Sequence, residues 1–220
     1  MKHFIKNITT PLWDFLFTVR CPYCNKAINR REYACENCKK HFPETAIVRY
    51  AVGGYKCASP FPYIDRYKNA VTQFKFYNCG AYAKQLAFML VCAIGEVYQG
   101  KNFDIITCVP MHKNALNQRG YNQAELLARE CAEIMGIEYA DIIEKFKENK
   151  LQHRIKANER AKNVRGVYRI PDKKIAYGKS VLIIDDIITT GNTLGECARI
   201  LMKSGCKEVC CAALCTVTIS

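Results

Sequence analysis

No run of about 18 consecutive apolar residues occurs in the 220-residue chain, so no helix is expected to cross a membrane. The first twenty residues are basic with scattered apolar positions, but they lack the continuous apolar centre and small-residue cleavage site of a secretory leader. They are expected to form a short amphipathic helix, with Ile8, Leu12, Phe15, Leu16 and Val19 packing on the body. Acids are in short supply, 20 against 33 Lys and Arg, which leaves a net charge of +13. There is no internal repeat and no low-complexity tract, which argues against a solenoid or a disordered tail. Neither G-x-x-x-x-G-K-[ST] nor G-x-G-x-x-G occurs, so a Walker-type loop and a dinucleotide fingerprint are excluded. Half the residues are apolar or aromatic, enough for one core of roughly 150 residues with a small appendage.

Cysteine, by contrast, is abundant at 14 residues, and its placement decides its meaning. Ten lie in apolar contexts such as EVCCAALC, where a thiol behaves as a small hydrophobe, and this suggests a reducing, cytoplasmic setting. The other four, Cys21, Cys24, Cys35 and Cys38, form C-x2-C-x10-C-x2-C. Two such knuckles can close four thiolates around a structural Zn²⁺, and a segment this short has too little core to fold without a staple. Thiol exchange at Cys21-Pro-Tyr-Cys24 is the alternative. His41 is a spare ligand candidate with the simpler reading of a surface residue.

The segment VLIIDDIITTGNT, residues 181–193, carries the most chemistry. Its apolar start, 181–184, reads as a buried parallel strand delivering Asp185 and Asp186 to its carboxyl end, where open α/β sheets bind ligands. Adjacent carboxylates can accept from the vicinal hydroxyls of a ribose, directly or through hydrated Mg²⁺. Thr189, Thr190, Gly191, Asn192 and Thr193 then offer backbone N–H groups and hydroxyls at a helix start, which suits a phosphate. Thr193 and Glu196 are spaced as a capping box. Helical spacing is expected over 82–98, 123–135 and 193–203, and apolar strands over 105–109 and 209–217. Strands and turns are expected over 46–65. Alternating helices and apolar strands predict an α/β protein with a parallel sheet flanked by helices, a main domain of residues 46–220 and an N-terminal zinc knuckle of residues 1–45.

The 181–193 segment resembles the phosphoribosyl pyrophosphate (PRPP) signature of the type I phosphoribosyltransferases. Taken with Arg119-Gly120-Tyr121-Asn122-Gln123, with the Gln152 to Val167 stretch QHRIKANERAKNVRGV, with Phe74-Lys75-Phe76 and with the four-cysteine knuckle, nearly the whole chain resembles the ComF family, which is associated with DNA uptake in natural competence. The resemblance implies a type I phosphoribosyltransferase-like sheet and Mg²⁺-bound PRPP on Asp185, Asp186 and residues 189–193. Pyrophosphate would lie near Pro110, His112, Lys113 and Arg119. It implies a lid bearing Arg154, Arg160 and Asn163, and a catalytic role for Lys75 and Arg119 beside the two acids. Transfer of phosphoribosyl to an acceptor, a DNA-uptake helicase as partner and a homodimer are implied as well. The loop Val109-Pro-Met-His-Lys113 departs from relatives that carry a second proline there. Read from the residues alone, Lys75 fits the outward position of a strand, and Arg119, Asn122 and Gln123 fit a cap on the 123–135 helix.

The positive charge is localised. From Lys145 to Lys179 there are twelve Lys or Arg against three acids. Such a field attracts polyphosphate or single-stranded nucleic acid, although aromatic residues that could stack bases, Tyr121 and Tyr168, are few. A non-catalytic nucleotide- or single-stranded-DNA-binding module is therefore the second class of function the sequence allows.

Overall fold

The computed structural model describes residues 19–29, 31–76, 79–147 and 165–217. Residues 1–18 of the expected N-terminal helix, and the expected lid residues Arg154, Arg160 and Asn163, lie outside them. In chain order the strands are β1 (Ile47–Ala51), β2 (Tyr55–Ser59), β3 (Phe61–Pro62), β4 (Ile105–Cys108), β5 (Glu138–Tyr139), β6 (Glu144–Lys145), β7 (Tyr168–Arg169), β8 (Ser180–Ile188) and β9 (Glu208–Thr216). The helices are α1 (Glu36–Lys39), α2 (Asp65–Phe76), α3 (Cys79–Val97), α4 (Lys113–Arg119), α5 (Gln123–Met135) and α6 (Asn192–Lys203). Among the described residues, no helix is long and apolar enough to cross a membrane.

The main sheet runs β1-β2-β9-β8-β4-β5, with β3 added to β9 beyond the end of β2. Its β1–β2 hairpin is antiparallel and its other pairings are parallel, while β6 and β7 form a separate antiparallel ribbon. The two-residue period of a strand explains why β8 and β9 are apolar on both sides. Val181 and Ile183 enter one core with Leu194, Cys197, Ala198 and Leu201 of α6. Leu182 and Ile184 enter the other with Leu86 and Leu90 of α3 and Leu127 and Cys131 of α5. Cys210 and Cys211 divide between the two cores in the same way, as small hydrophobes. The protein is thus α/β, with helices on both faces of a mostly parallel sheet.

Several boundaries differ from expectation for identifiable reasons. β8 continues to Ile188 because β9 keeps pairing with it, Asp185 opposite Ala213 and Ile188 opposite Thr216, so both acids lie inside the strand. α6 begins at Asn192 behind a left-handed Gly191. The expected capping box is not made: the Glu196 carboxylate binds Arg199 at 2.7 Å and the Gly166 N–H at 3.0 Å. Phe74-Lys75-Phe76 is the last turn of a helix, not a strand, since Tyr67, Ala70, Val71 and Phe74 are buried at helical spacing. The α5 boundaries match the expected 123–135, with Asn122 and Gly136 as its caps.

The cysteine knuckle shares with the sheet the core that holds Leu182 and Ile184. Tyr23, between Cys21 and Cys24, meets Phe42 at 5.0 Å and Phe61 at 5.4 Å edge to face. Phe61 in turn stacks on Tyr67 of α2 at 4.4 Å. Buried aromatic pairs of this geometry add about 0.5–1.5 kcal/mol each beyond area burial.

Candidate functional site

Crossing directions in the sheet locate the site. The chain leaves β4 toward β5 by way of α5, and leaves β8 toward β9 by way of α6 on the opposite face. The crevice between the carboxyl ends of β4 and β8 is therefore a topological switch point, where α/β sheets bind ligands. Cys108 pairs with Ile184, and Val109 N–H donates to the Ile184 carbonyl at 2.9 Å. The loop from Pro110 thus starts directly beside Asp185.

Because Asp185 and Asp186 are consecutive in a strand, their side chains leave on opposite faces. Asp186 turns toward α2, where its Oδ2 lies 2.7 Å from Lys75 Nζ. Asp185 turns toward α6, and its Oδ1 accepts from the Asp186 N–H at 2.8 Å. Burial, and next the neighbouring Asp186 charge, push the Asp185 carboxyl up to about 8, with the Asp186 N–H and Lys75 opposing the shift. The adjacent acids are thus chemically unequal: one is charge-paired and the other favours its proton. Each is half-buried, and Asp186 is a hard oxygen donor of the kind Mg²⁺ takes.

The phosphate-type loop is shaped by glycine. At Gly191, φ is +73°, and a Cβ there would stand 2.7 Å from the Ala51 Cα. A Cβ on Gly195 would stand 2.3 Å from the Val52 carbonyl oxygen. The first turn of α6 therefore lies against the β1–β2 hairpin, backbone on backbone, and the Val52 N–H donates to the Gly191 carbonyl at 3.2 Å. Asn192 Nδ2 donates to Thr190 Oγ1 at 2.9 Å, while Thr189 is exposed. Arg49, which carries no sequence signal, reaches from β1 to donate to the Val217 carbonyl at 2.6 Å and the Thr189 carbonyl at 3.5 Å.

On the β4 side, Pro110, Met111 and Lys113 line a cavity of about 300 Å³ closed by Asp141, Glu144 and Lys145. His112 caps α4, its Nδ1 accepting from the Asn114 N–H at 3.3 Å. Lys113 is exposed in the first turn of that helix. Arg119 donates to Gln123 Oε1 at 2.8 Å. Asn122 caps α5 through the Ala124 N–H at 3.1 Å and donates to the Val109 carbonyl at 3.0 Å. Of the two tyrosines suggested for base stacking, Tyr168 is buried, while Tyr121 is half-buried and its hydroxyl donates to main-chain carbonyls of α2.

The four knuckle sulfurs form a second centre, all within 4.8 Å of one another. Cys24 and Cys35 Sγ are 3.5 Å apart, close to the edge of about 3.8 Å for a tetrahedral four-thiolate zinc site. The Cys35 N–H donates to Cys21 Sγ at 3.5 Å. Burial acts to raise the Cys35 thiol, but hydrogen bonds from the Cys38 main chain and the other knuckle thiols outweigh it and bring it down to about 7. This donor set fits Zn²⁺, and the exposed His41 stands outside it.

Residues 117–219 match the family described as "Phosphoribosyl transferase domain". Over that part, this α/β chain is similar to a phosphoribosyltransferase domain. Its homologues along most of its length include competence protein F of Haemophilus influenzae, 27% identical over 86% of this chain and 81% of that one. They also include the DNA utilization protein YhgH of Salmonella typhi, 25% identical over 89% of each, and the competence protein ComFC of Bacillus subtilis, 26% identical over 84% of this chain and 72% of that one. The resemblance to the ComF family is thus met by homologues that carry its name. Among solved structures, a glutamine PRPP amidotransferase from B. subtilis aligns with 64% of this chain and 30% of its own, at 20% identity and a TM-score of 0.43.

Proposed function

We propose that the chain binds Mg²⁺–PRPP across the carboxyl ends of β4 and β8 and transfers its phosphoribosyl group to an acceptor with release of pyrophosphate. The observation that carries this reading is the Asp185–Asp186 pair at a switch point, followed at once by the glycine-shaped turn into α6. Asp186 takes the ribose hydroxyls or the cation, residues 189–193 hold the 5′-phosphate with N–H groups and hydroxyls, and Lys113 faces the pyrophosphate. Lys75 neutralises Asp186 until the ligand arrives and then opposes the charge building on the leaving group. When bound, Mg²⁺ would offset the negative charge of the pyrophosphate. No covalent nucleophile is needed. Arg119 and the lid residues Arg154, Arg160 and Asn163 complete the proposed set. The competence and DNA-utilization names of the relatives support a role in DNA uptake.

A second reading, a non-catalytic nucleotide or single-stranded-DNA module serving a DNA-uptake helicase, is favoured by the ribbon. There Lys145 lies over the Tyr168 ring at 5.8 Å, and Arg169 lies over the Phe146 ring at 5.3 Å. Calorimetric titration with PRPP in Mg²⁺, against ribose 5-phosphate and a short oligonucleotide, separates the two. Asp185→Asn with Asp186→Asn should weaken PRPP binding about 100-fold or more, the loss of one charged and one protonated acid group at the site. Unchanged affinity in the folded double variant overturns the assignment. Oligonucleotide binding without PRPP binding selects the second reading.

A further inference from the structure

The main-chain partner of Lys75 lies in a different motif. The last described turn of α2 runs to Phe76 and presents main-chain carbonyls to the segment after α4. The Tyr121 hydroxyl donates there, to the Lys75 carbonyl and, at 3.2 Å, to that of Phe74. Phe74 is fully buried and anchors one side of this turn in the core. Lys75 leaves the turn toward Asp186 on a stem of four rotatable bonds, and fixing such a stem costs about 2 kcal/mol of rotamer entropy. Its ammonium can hold one place only if its own backbone is held. The next residue, Asn122, ties the same turn to the Val109 carbonyl at the end of β4. Gly120, at φ +84°, makes the reversal that sets these two side chains between α2 and β4.

We propose that Tyr121 is a positioning residue for Lys75: its hydroxyl clamps the end of α2 so that the lysine ammonium is held on Asp186, and the Tyr121-Asn122 pair sets that group in register with the loop after β4. The proposal rests on the reading of Asp186 as a ligand-site acid, but its test does not require a ligand. Phenylalanine keeps the ring and removes the clamping hydroxyl.

The experiment is competitive acetylation of the full-length, zinc-loaded protein, with labelling at Lys75 read by peptide mass mapping and normalised to the exposed Lys203. Tyr121→Phe should raise Lys75 labelling about fivefold, the ratio expected for one lost hydrogen bond. Asp186→Asn should raise it at least as much, and the double variant should match Asp186→Asn alone, because the clamp acts only through that pair. Unchanged labelling in Tyr121→Phe overturns the proposal. So does a rise at lysines throughout the chain, which would mark general loosening, or a further rise in the double variant beyond Asp186→Asn. PRPP titration of the same proteins is a separate readout: silence of the wild type would end the transferase reading while the labelling ratios still judge the clamp.

Discussion

At the scale of single residues, the two signature acids carry different loads. The raised Asp185 carboxyl keeps its proton in the folded chain at pH values where the unfolded chain, titrating near 4, has lost it. The folded state then binds more protons, so stability falls as pH rises from about 4 through the raised folded value. Asp185→Asn should flatten that slope in urea melts taken across this range, and a slope equal to wild type would contradict the burial of the charge. Asp186→Asn should leave the slope largely in place. The sequence displays both acids and the loop that follows, but it does not display this inequality. The cause is non-local: continued pairing with β9 extends β8 through the acids and sends them to opposite faces. Arg49, and the contact of Tyr121 with α2, were not legible for a similar reason, since the partners lie 168 and 46 residues away at Val217 and Lys75.

At the scale of elements, two helical glycines make opposite predictions. Gly195 in α6 has no room for a methyl group against Val52, and forcing one in costs about 1–3 kcal/mol. Gly195→Ala should therefore lower the melting temperature by roughly 2–12 °C at the 2–4 °C per kcal/mol typical of this size. Gly95 in α3 has nothing within 4 Å of an added Cβ, so Gly95→Ala should raise it by roughly 1–4 °C. Calorimetric scans of the two variants decide both. Helices α3, α5 and α6 were legible because their apolar stripes are strong. α2 was not, because Phe74-Lys75-Phe76 alternates as a strand would, and its helical stripe of Tyr67, Ala70, Val71 and Phe74 shows only when read upstream. α4 has no fully buried residue, so no periodic signal existed to be read.

For the whole molecule, alternating apolar strands and helices suffice to predict a parallel sheet, and the four-cysteine spacing suffices to predict a metal knuckle. The strand order was not legible, since it depends on β9 inserting between β2 and β8 after more than 100 residues of intervening chain. Nor does spacing reveal that the knuckle contributes Tyr23 to the same aromatic cluster as Phe61 and Tyr67. Stripping zinc, or Cys38→Ala, should therefore destabilise the sheet domain as well as the knuckle. A loss comparable to one buried aromatic, ~3 kcal/mol, would lower the melting temperature by roughly 6–12 °C. A single unchanged transition after chelation would show the two parts to be independent.

Zinc on the four thiolates, which their geometry fits, would tie the fate of each newly made chain to metal supply through that shared aromatic cluster. A copy synthesised without it would lack part of the wall of the core that holds Leu182 and Ile184, and quality-control proteases act on the fraction that opens. The steady-state amount of this protein should then fall in zinc-starved cells and recover on repletion without any change in its synthesis, while a variant altered only at Asp185 and Asp186 should follow the same curve.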